Sequence, residues 1–257
     1  MNPRQILIAL WTLVVKEVRR FTRIWPQTLL PPSITMTMYF IIFGNLIGSR
    51  VGEMDGFSYM AYIVPGLIMM SVITNSYSNV ASSFFSNKFQ RSVEEMMVSP
   101  MPSWVILGGF VLGGMTRGLG VGLIVTLVSL FFTDLTIHHP LVTVGVVTMT
   151  AALFSIGGFI NALLANKFDD ISIVPIFVLT PLTYLGGVFY SIDMLPDFWQ
   201  GVSMINPILY MVNAFRYGIL GVSDIPVGGA LVAVALFIMA FFAVALWMLE
   251  RGKGIRS

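Results

Sequence analysis

The chain has 257 residues, of which 56% are hydrophobic and only 10% charged, and its mean hydropathy is +0.87, whereas an average soluble domain carries about 25% charged residues. So few charges would not cover a water-facing surface, so the composition excludes an ordinary soluble domain and reads as a single integral-membrane domain spanning 1–257. A net charge of +2 gives no basis for binding nucleic acid, and with no cysteine the chain is excluded from disulfide, thiolate-metal and cysteine-nucleophile chemistry.

The first 25 residues hold a short apolar run, Ile6–Val15, followed by Lys16-Glu17-Val18-Arg19-Arg20 and no small-residue cleavage site. It is not expected to be a signal peptide. Ile6, Leu10, Leu13 and Val14 fit an interfacial helix with its apolar face in lipid, or a simple topology anchor.

A membrane-crossing helix needs about 20 mostly apolar residues. Six stretches qualify, at 27–48, 58–84, 112–132, 141–165, 171–190 and 227–249. Six crossings put both termini on one side of the membrane. Of the 14 basic residues, all but Arg50, Arg117 and Arg216 fall before the first span, after the second, after the fourth or at the end of the chain, where Arg251, Lys253 and Arg256 lie. The positive-inside rule therefore predicts cytoplasmic termini.

The second span turns polar in its later half, where Asn75, Asn79 and Ser82 fall at i, i+4 and i+7 on one helical face with Tyr77 nearby. Unpaired amides are costly in hydrocarbon, so this face belongs inside the assembly, as interhelical glue or as the border of a substrate path. Around the third span Gly109, Gly113, Gly114, Gly118 and Gly122 form overlapping small-xxx-small patterns, which predict close helix packing within the subunit or against a second copy. Arg117 lies among them, about 8 Å along the helix from Leu112 at 1.5 Å per residue. It either snorkels to the cytoplasmic interface or points inward as a functional cation.

Between the second and third spans runs the longest internal loop, 86–102, in which Ser92 through Val98 can form two helical turns before Pro100 and Pro102 stop them. Val93, Met96 and Met97 share one face and Glu94 is opposite. That apolar face must be buried, against the protein's own spans or in a groove on a soluble subunit. Past the fifth span, residues 192–226 are too polar and punctuated to cross, yet carry Phe198, Trp199, Tyr210, Phe215 and Tyr217. Short re-entrant helices in the outer leaflet suit such a segment.

This segment, written Pro181-Leu182, Gly187-Val188-Phe189-Tyr190, Leu195-Pro196, Asn206-Pro207, Tyr210, Arg216 and Gly221, resembles the signature of ABC-2 type transporter permeases. The run Arg91 to Pro100 is similar to that family's coupling helix: an acid, two large apolar residues, then Ser-Pro, here Glu95-Met96-Met97-Val98-Ser99-Pro100, with Glu94 as a second acid. Where the family often has Arg-Gly-Thr, this chain has Arg91-Ser92-Val93. The resemblance covers nearly the whole chain and lies near the drug, nodulation-factor and polysaccharide exporters of bacterial inner membranes. It implies an all-α, type V exporter-like fold of six spans, an N-terminal connecting helix and outer re-entrant helices capping a path at a homodimer interface. It also implies two copies of a separate ATPase subunit, which would hold ATP and Mg. The chain itself has no Gly-x-x-x-x-Gly-Lys-Ser/Thr phosphate loop and is expected neither to bind a cofactor nor to be an enzyme.

Two other classes fit less well. A channel or secondary transporter would carry membrane-embedded carboxylates, and all 12 acidic residues are expected in loops or at ends. An intramembrane enzyme or metal site has only His138 and His139 to draw on, adjacent residues whose side chains point apart.

Overall fold

The computed structural model describes residues 1–254. Arg256, counted above among the basic residues of the chain end, lies outside them. The described chain is a helical bundle. Helix α1, Pro3–Arg23, leads into α2, Trp25–Val51. A short antiparallel hairpin pairs β1, Glu53–Met54, with β2, Phe57–Ser58. Then follow α3, Tyr59–Phe89; α4, Ser92–Val98; α5, Ser103–Ser129; and α6, Pro140–Leu164. The chain closes with α7, Asp170–Tyr184; the short α8, Asp197–Met204; α9, Pro207–Leu220; and α10, Val227–Glu250.

Helix α3 is the centre. Its Ser58 hydroxyl accepts the Ala61 N–H at 3.3 Å to start it, and its side chains from Tyr59 to Phe85 are mostly buried. Backbones come close on three sides because glycines stand where side chains would collide. Gly114, Gly118 and Gly122 of α5 face Val80, Ser76 and Val72 of α3, while Gly158 of α6 sits against the Tyr77 carbonyl. At the far end Gly66 of α3 lies against the backbone of Val188. The remaining glycines of the α5 pattern, Gly109 and Gly113, receive Leu13 and Glu17 of α1. Both glycine rows are thus used within one chain.

Among the described residues five helices, α2, α3, α5, α6 and α10, are long and apolar enough to cross a membrane. The third begins at Ser103 rather than Leu112, because its first turns pack on α1 and the glycines there do not break it. The fifth expected span differs more. Helix α7 ends at Tyr184 and at 1.5 Å per residue is about 22 Å long, short of the ~30 Å hydrocarbon core. Pro175 opens a wide π turn, Pro175–Leu179, Pro181 opens the following turn, and Gly187 at φ +69° turns the chain away. A wide turn of the same kind, Phe40–Ile47, interrupts α2.

Helix α1 corrects a second expectation. Leu13, placed on a lipid-facing side by its periodicity, is buried together with Glu17 and Phe21, and the exposed apolar side is Leu7, Ile8 and Trp11. The inward row follows the Gly109–Gly113 groove rather than the most apolar arc.

A Cβ at Gly118 would overlap Ser76 and approach the Val72 carbonyl to 3.1 Å, whereas nothing lies within 4 Å of one at Gly120. Gly118→Val is therefore expected to cost about 1–3 kcal/mol and lower the melting temperature of the detergent-purified chain, with Gly120→Ala neutral or slightly stabilising.

Candidate functional site

Ser71, Thr74, Asn75, Ser78 and Ser82 form a stripe along α3, spaced at helical repeats. At one end the stripe borders a cavity of about 370 Å³ walled by Gln27, Thr35 and Tyr39 of α2 and Arg117 of α5. At the other, Ser78 and Ser82 border a cavity of about 260 Å³ against Ile171, Ser172 and Ile176 of α7. Ser78 belongs to both. The Thr74 and Ser82 hydroxyls donate to the Met70 and Ser78 carbonyls at 2.9 and 2.7 Å, which satisfies their protons within the helix and leaves oxygen lone pairs on the groove. Tyr77 is elsewhere. It lies on the opposite side of α3 and lines a separate apolar cavity of about 390 Å³ among Phe154, Leu182, Pro207 and Phe237. The grouping of Tyr77 with Asn75 and Asn79 is thus corrected: two residues along a helix is about 200°, which turns the side chain away.

Arg117 points inward. Its guanidinium donates to Asn75 Oδ1 at 3.3 Å and Nε has no partner among the described residues. One turn nearer the α1 side, Asn79 is fully buried and accepts two bonds from Arg20, to its side-chain oxygen at 2.7 Å and to its carbonyl at 3.1 Å. Arg20 is in turn paired with Glu17 at 3.3 Å, whose side chain is 1% exposed. The Glu17–Arg20–Asn79 chain pins α1 to α3, with Gly113 making room for the Glu17 stem. Glu17 lies at the N-terminal end, outside the candidate spans, and the basic run in which it stands gives no sign that its carboxylate is buried. The available signal was the i, i+4 row Leu13, Glu17, Phe21 matched to Gly109 and Gly113.

Helix α4 has the predicted bounds. Val93 is fully buried in a cluster with Phe84, Phe85, Ile106 and Leu163, and Met96 and Met97 pack against that cluster, so the apolar face is taken up by the protein's own helices. What faces outward is Arg91, Glu94, Glu95, Pro100 and Val98, the last 89% exposed. Ser99, half-buried, closes the helix by donating from Oγ to the Met96 carbonyl at 2.6 Å. Arg91 at φ +60° makes the tight turn from α3. Just before it, Lys88 Nζ donates to the Leu163 and Ala165 carbonyls at 2.9 and 2.5 Å, capping the end of α6.

At the other end of the bundle each signature residue has a local task. Pro181, Pro196 and Pro207 start or precede short helices. Asn206 caps α9 by accepting the Ile208 N–H at 3.0 Å and ties it to α7 by donating to the Leu182 carbonyl at 2.6 Å. Tyr190 and Tyr210 donate their hydroxyls to the Tyr184 and Met204 carbonyls. Phe189 stacks on Phe43 of α2 with ring centres 4.7 Å apart, and Gly221 at φ +80° ends α9. Arg216, one of the three basic residues that stand apart from the basic-rich segments, is 0% exposed. Its guanidinium lies 4.0 Å over the Tyr62 ring of α3 and donates to the Gly187 carbonyl. The burial of this arginine depends on Tyr62, far away in sequence.

The sequence model of the ABC-2 type transporter family matches residues 8–220 of the chain. The chain belongs to this family. Among curated proteins it is 58% identical over 250 residues to the inner membrane transport permease YadH of Escherichia coli (strain K12), covering 97% of this chain and 98% of that one. It is 24% identical over 219 residues to nodulation protein J of Rhizobium leguminosarum bv. viciae, covering 83% of each, and 25% identical over 223 residues to that of Rhizobium meliloti (strain 1021), covering 83% of this chain and 82% of that protein. As an ABC-2 family member the chain is a membrane transport protein, and α4 and the signature from Pro181 to Arg216 fall within the matched region.

Two substitutions test the ties around α3. Glu17→Ala leaves Arg20 without its carboxylate partner and is expected to loosen α1, so that trypsin cleaves at Arg19 at least about tenfold faster in nanodiscs. Arg216→Lys keeps the charge but not the flat stack on Tyr62, and is expected to lower the melting temperature by about 4 °C or more.

Proposed function

We propose that the chain is the transmembrane permease subunit of an ATP-driven exporter, acting as a homodimer with two copies of a separate ATPase that binds ATP and Mg. The observation that carries this reading is α4. Its acidic side, Glu94 and Glu95, is presented to solvent, while its apolar side is fastened to the bundle and its root is held by Lys88. A helix so mounted passes a push from a partner into α3 and α6 instead of swinging freely. The family membership supports an ATPase partner, and the name of the Escherichia coli relative supports an inner-membrane location.

In this reading both termini and α4 are cytoplasmic, α7 is the fifth of six crossings despite its break, and α8 and α9 are re-entrant helices of the outer leaflet. The serine and asparagine stripe of α3 lines the path. Helices α2 and α7 flank it with large exposed apolar side chains, Ile34, Met38 and Leu46 on one and Ile173, Ile176 and Phe177 on the other. Two copies meeting along these helices would enclose the stripe. Its side chains are neutral hydroxyls and one amide, with Arg117 of α5 beside them, which suits an amphipathic drug, lipid or glycoconjugate. A proton- or cation-coupled transporter would place a carboxylate on the stripe, and none of the described residues lining its two cavities is acidic.

Replacing Glu94 and Glu95 together with Ala is expected to abolish most of the substrate-stimulated ATPase activity of the purified complex while the permease stays folded by gel filtration. Val93→Ala, a buried truncation, is expected to cost about 2 kcal/mol of stability yet leave activity per folded complex intact. Full stimulation in the double variant contradicts the coupling role.

A further inference from the structure

The cavity between α2, α3 and α5 contains one formal charge, that of Arg117, and its other polar lining groups are neutral: Gln27, Thr35, Tyr39, Ser71, Thr74, Asn75 and Ser78. Arg117 makes a single hydrogen bond, to Asn75 Oδ1 at 3.3 Å, and its Nε is buried without a partner among the described residues. The neighbouring charge does not relieve it: Arg20 is a second guanidinium, whose own charge is matched by Glu17. An arginine at this depth in an apolar bundle is costly unless a counter-charge is supplied. A guanidinium with free N–H groups is matched in shape by a planar or tetrahedral oxyanion, which accepts two parallel bonds from it. The Thr35 hydroxyl and the second amide proton of Asn75, whose first is given to the Ser71 carbonyl at 2.9 Å, stand where further anion oxygens can be bonded.

The cavity, about 370 Å³, is within the range of small-ligand sites. Its walls also include Met36, Tyr39 and Met70, and the adjoining face of α2 exposes Ile34 and Met38, so an apolar tail is accommodated alongside a charged head. We propose that this cavity binds the anionic head group of an amphiphile, a phosphate, sulfate or carboxylate, with Arg117 as its counter-charge and Asn75 holding the guanidinium in place. The proposal rests on reading the α3 stripe as the path, and it narrows the substrate to one bearing an oxyanion.

The test uses the full chain purified in phosphatidylcholine nanodiscs, without ATPase or nucleotide, and equilibrium dialysis of three probes: dodecyl phosphate, dodecylphosphocholine and inorganic phosphate. Dodecyl phosphate is expected to bind saturably, at least about tenfold more tightly than dodecylphosphocholine, whose phosphate is matched by its own choline. Arg117→Gln is expected to erase that preference and Arg117→Lys to keep part of it. Asn75→Asp, which supplies an internal carboxylate beside Arg117, gives the same loss of preference should Arg117→Gln fail to fold. Inorganic phosphate binding with the same dependence on Arg117 sustains the oxyanion site and identifies its ligand as the free anion. Equal binding of the two amphiphiles, or binding unchanged in Arg117→Gln and Asn75→Asp, overturns the proposal. Because no ATPase is present, that failure leaves the coupling role of Glu94 and Glu95 standing, and a failure of coupling leaves this site standing.

Discussion

The close approach of helix backbones around Tyr59–Phe89 is the constraint on which the rest of the structure depends. In hydrocarbon there is no hydrophobic force between apolar helices, so association rests on dense van der Waals contact and on polar groups that find partners. Glycines provide the first: Gly114, Gly118 and Gly122 of α5 and Gly158 of α6 let α3 be packed on two sides, and Gly66 lets the turn at Val188 reach its backbone. Polar ties provide the second, and they sit where the glycines allow approach. Glu17, seated over Gly113, pairs with Arg20, which donates to Asn79, and Arg216 lies on Tyr62 beside Gly187.

A rod held in this way at both ends distinguishes two kinds of helix. Helices α1, α3, α5 and α6, with α4 mounted on them, form one tightly packed body, to which α9 is tied at the far end. Helices α2 and α7 border the polar stripe, keep large apolar faces exposed and are each interrupted by a wide π turn. On the proposed reading the body transmits force from α4, while α2 and α7, together with a second copy, form the adjustable wall of the path. Their apolar faces then need no partner within the chain, since lipid or the second copy covers them.

Much of this was legible in the sequence, for identifiable reasons. Spans of about 20 apolar residues announce themselves by length, and Pro100 and Pro102 mark the end of the short α4 because a proline lacks the N–H that a further turn would use. Asn206-Pro207 and Gly221 mark the ends of α9 by capping chemistry that is local. Partners distant in the chain were not legible. The apolar side of α4 showed that Val93 is buried but not against what; Arg216 gave no sign that Tyr62 lies beneath it. Glu17 was hidden among basic residues, and its burial is understandable only beside Gly113. Hydropathy averages also passed over Pro175 and Pro181, so the break in α7 was read as a continuous span.

The central claim is that α3 carries α4 at one end and the turn at Val188, with the segment 189–196 that follows it, at the other as one rigid unit. The chain has no cysteine, so labels can be placed without removing any native residue of that type. Spin labels at Val98→Cys and Met194→Cys, both on exposed positions, report the distance along this unit by pulsed electron paramagnetic resonance in the complex with its ATPase. The account predicts that the distance stays constant within about 2 Å between the nucleotide-free and ATP-bound states, the scale of small shifts in packed helices. A change of several ångströms within one chain would show that α3 bends or that α4 moves independently, and would contradict it.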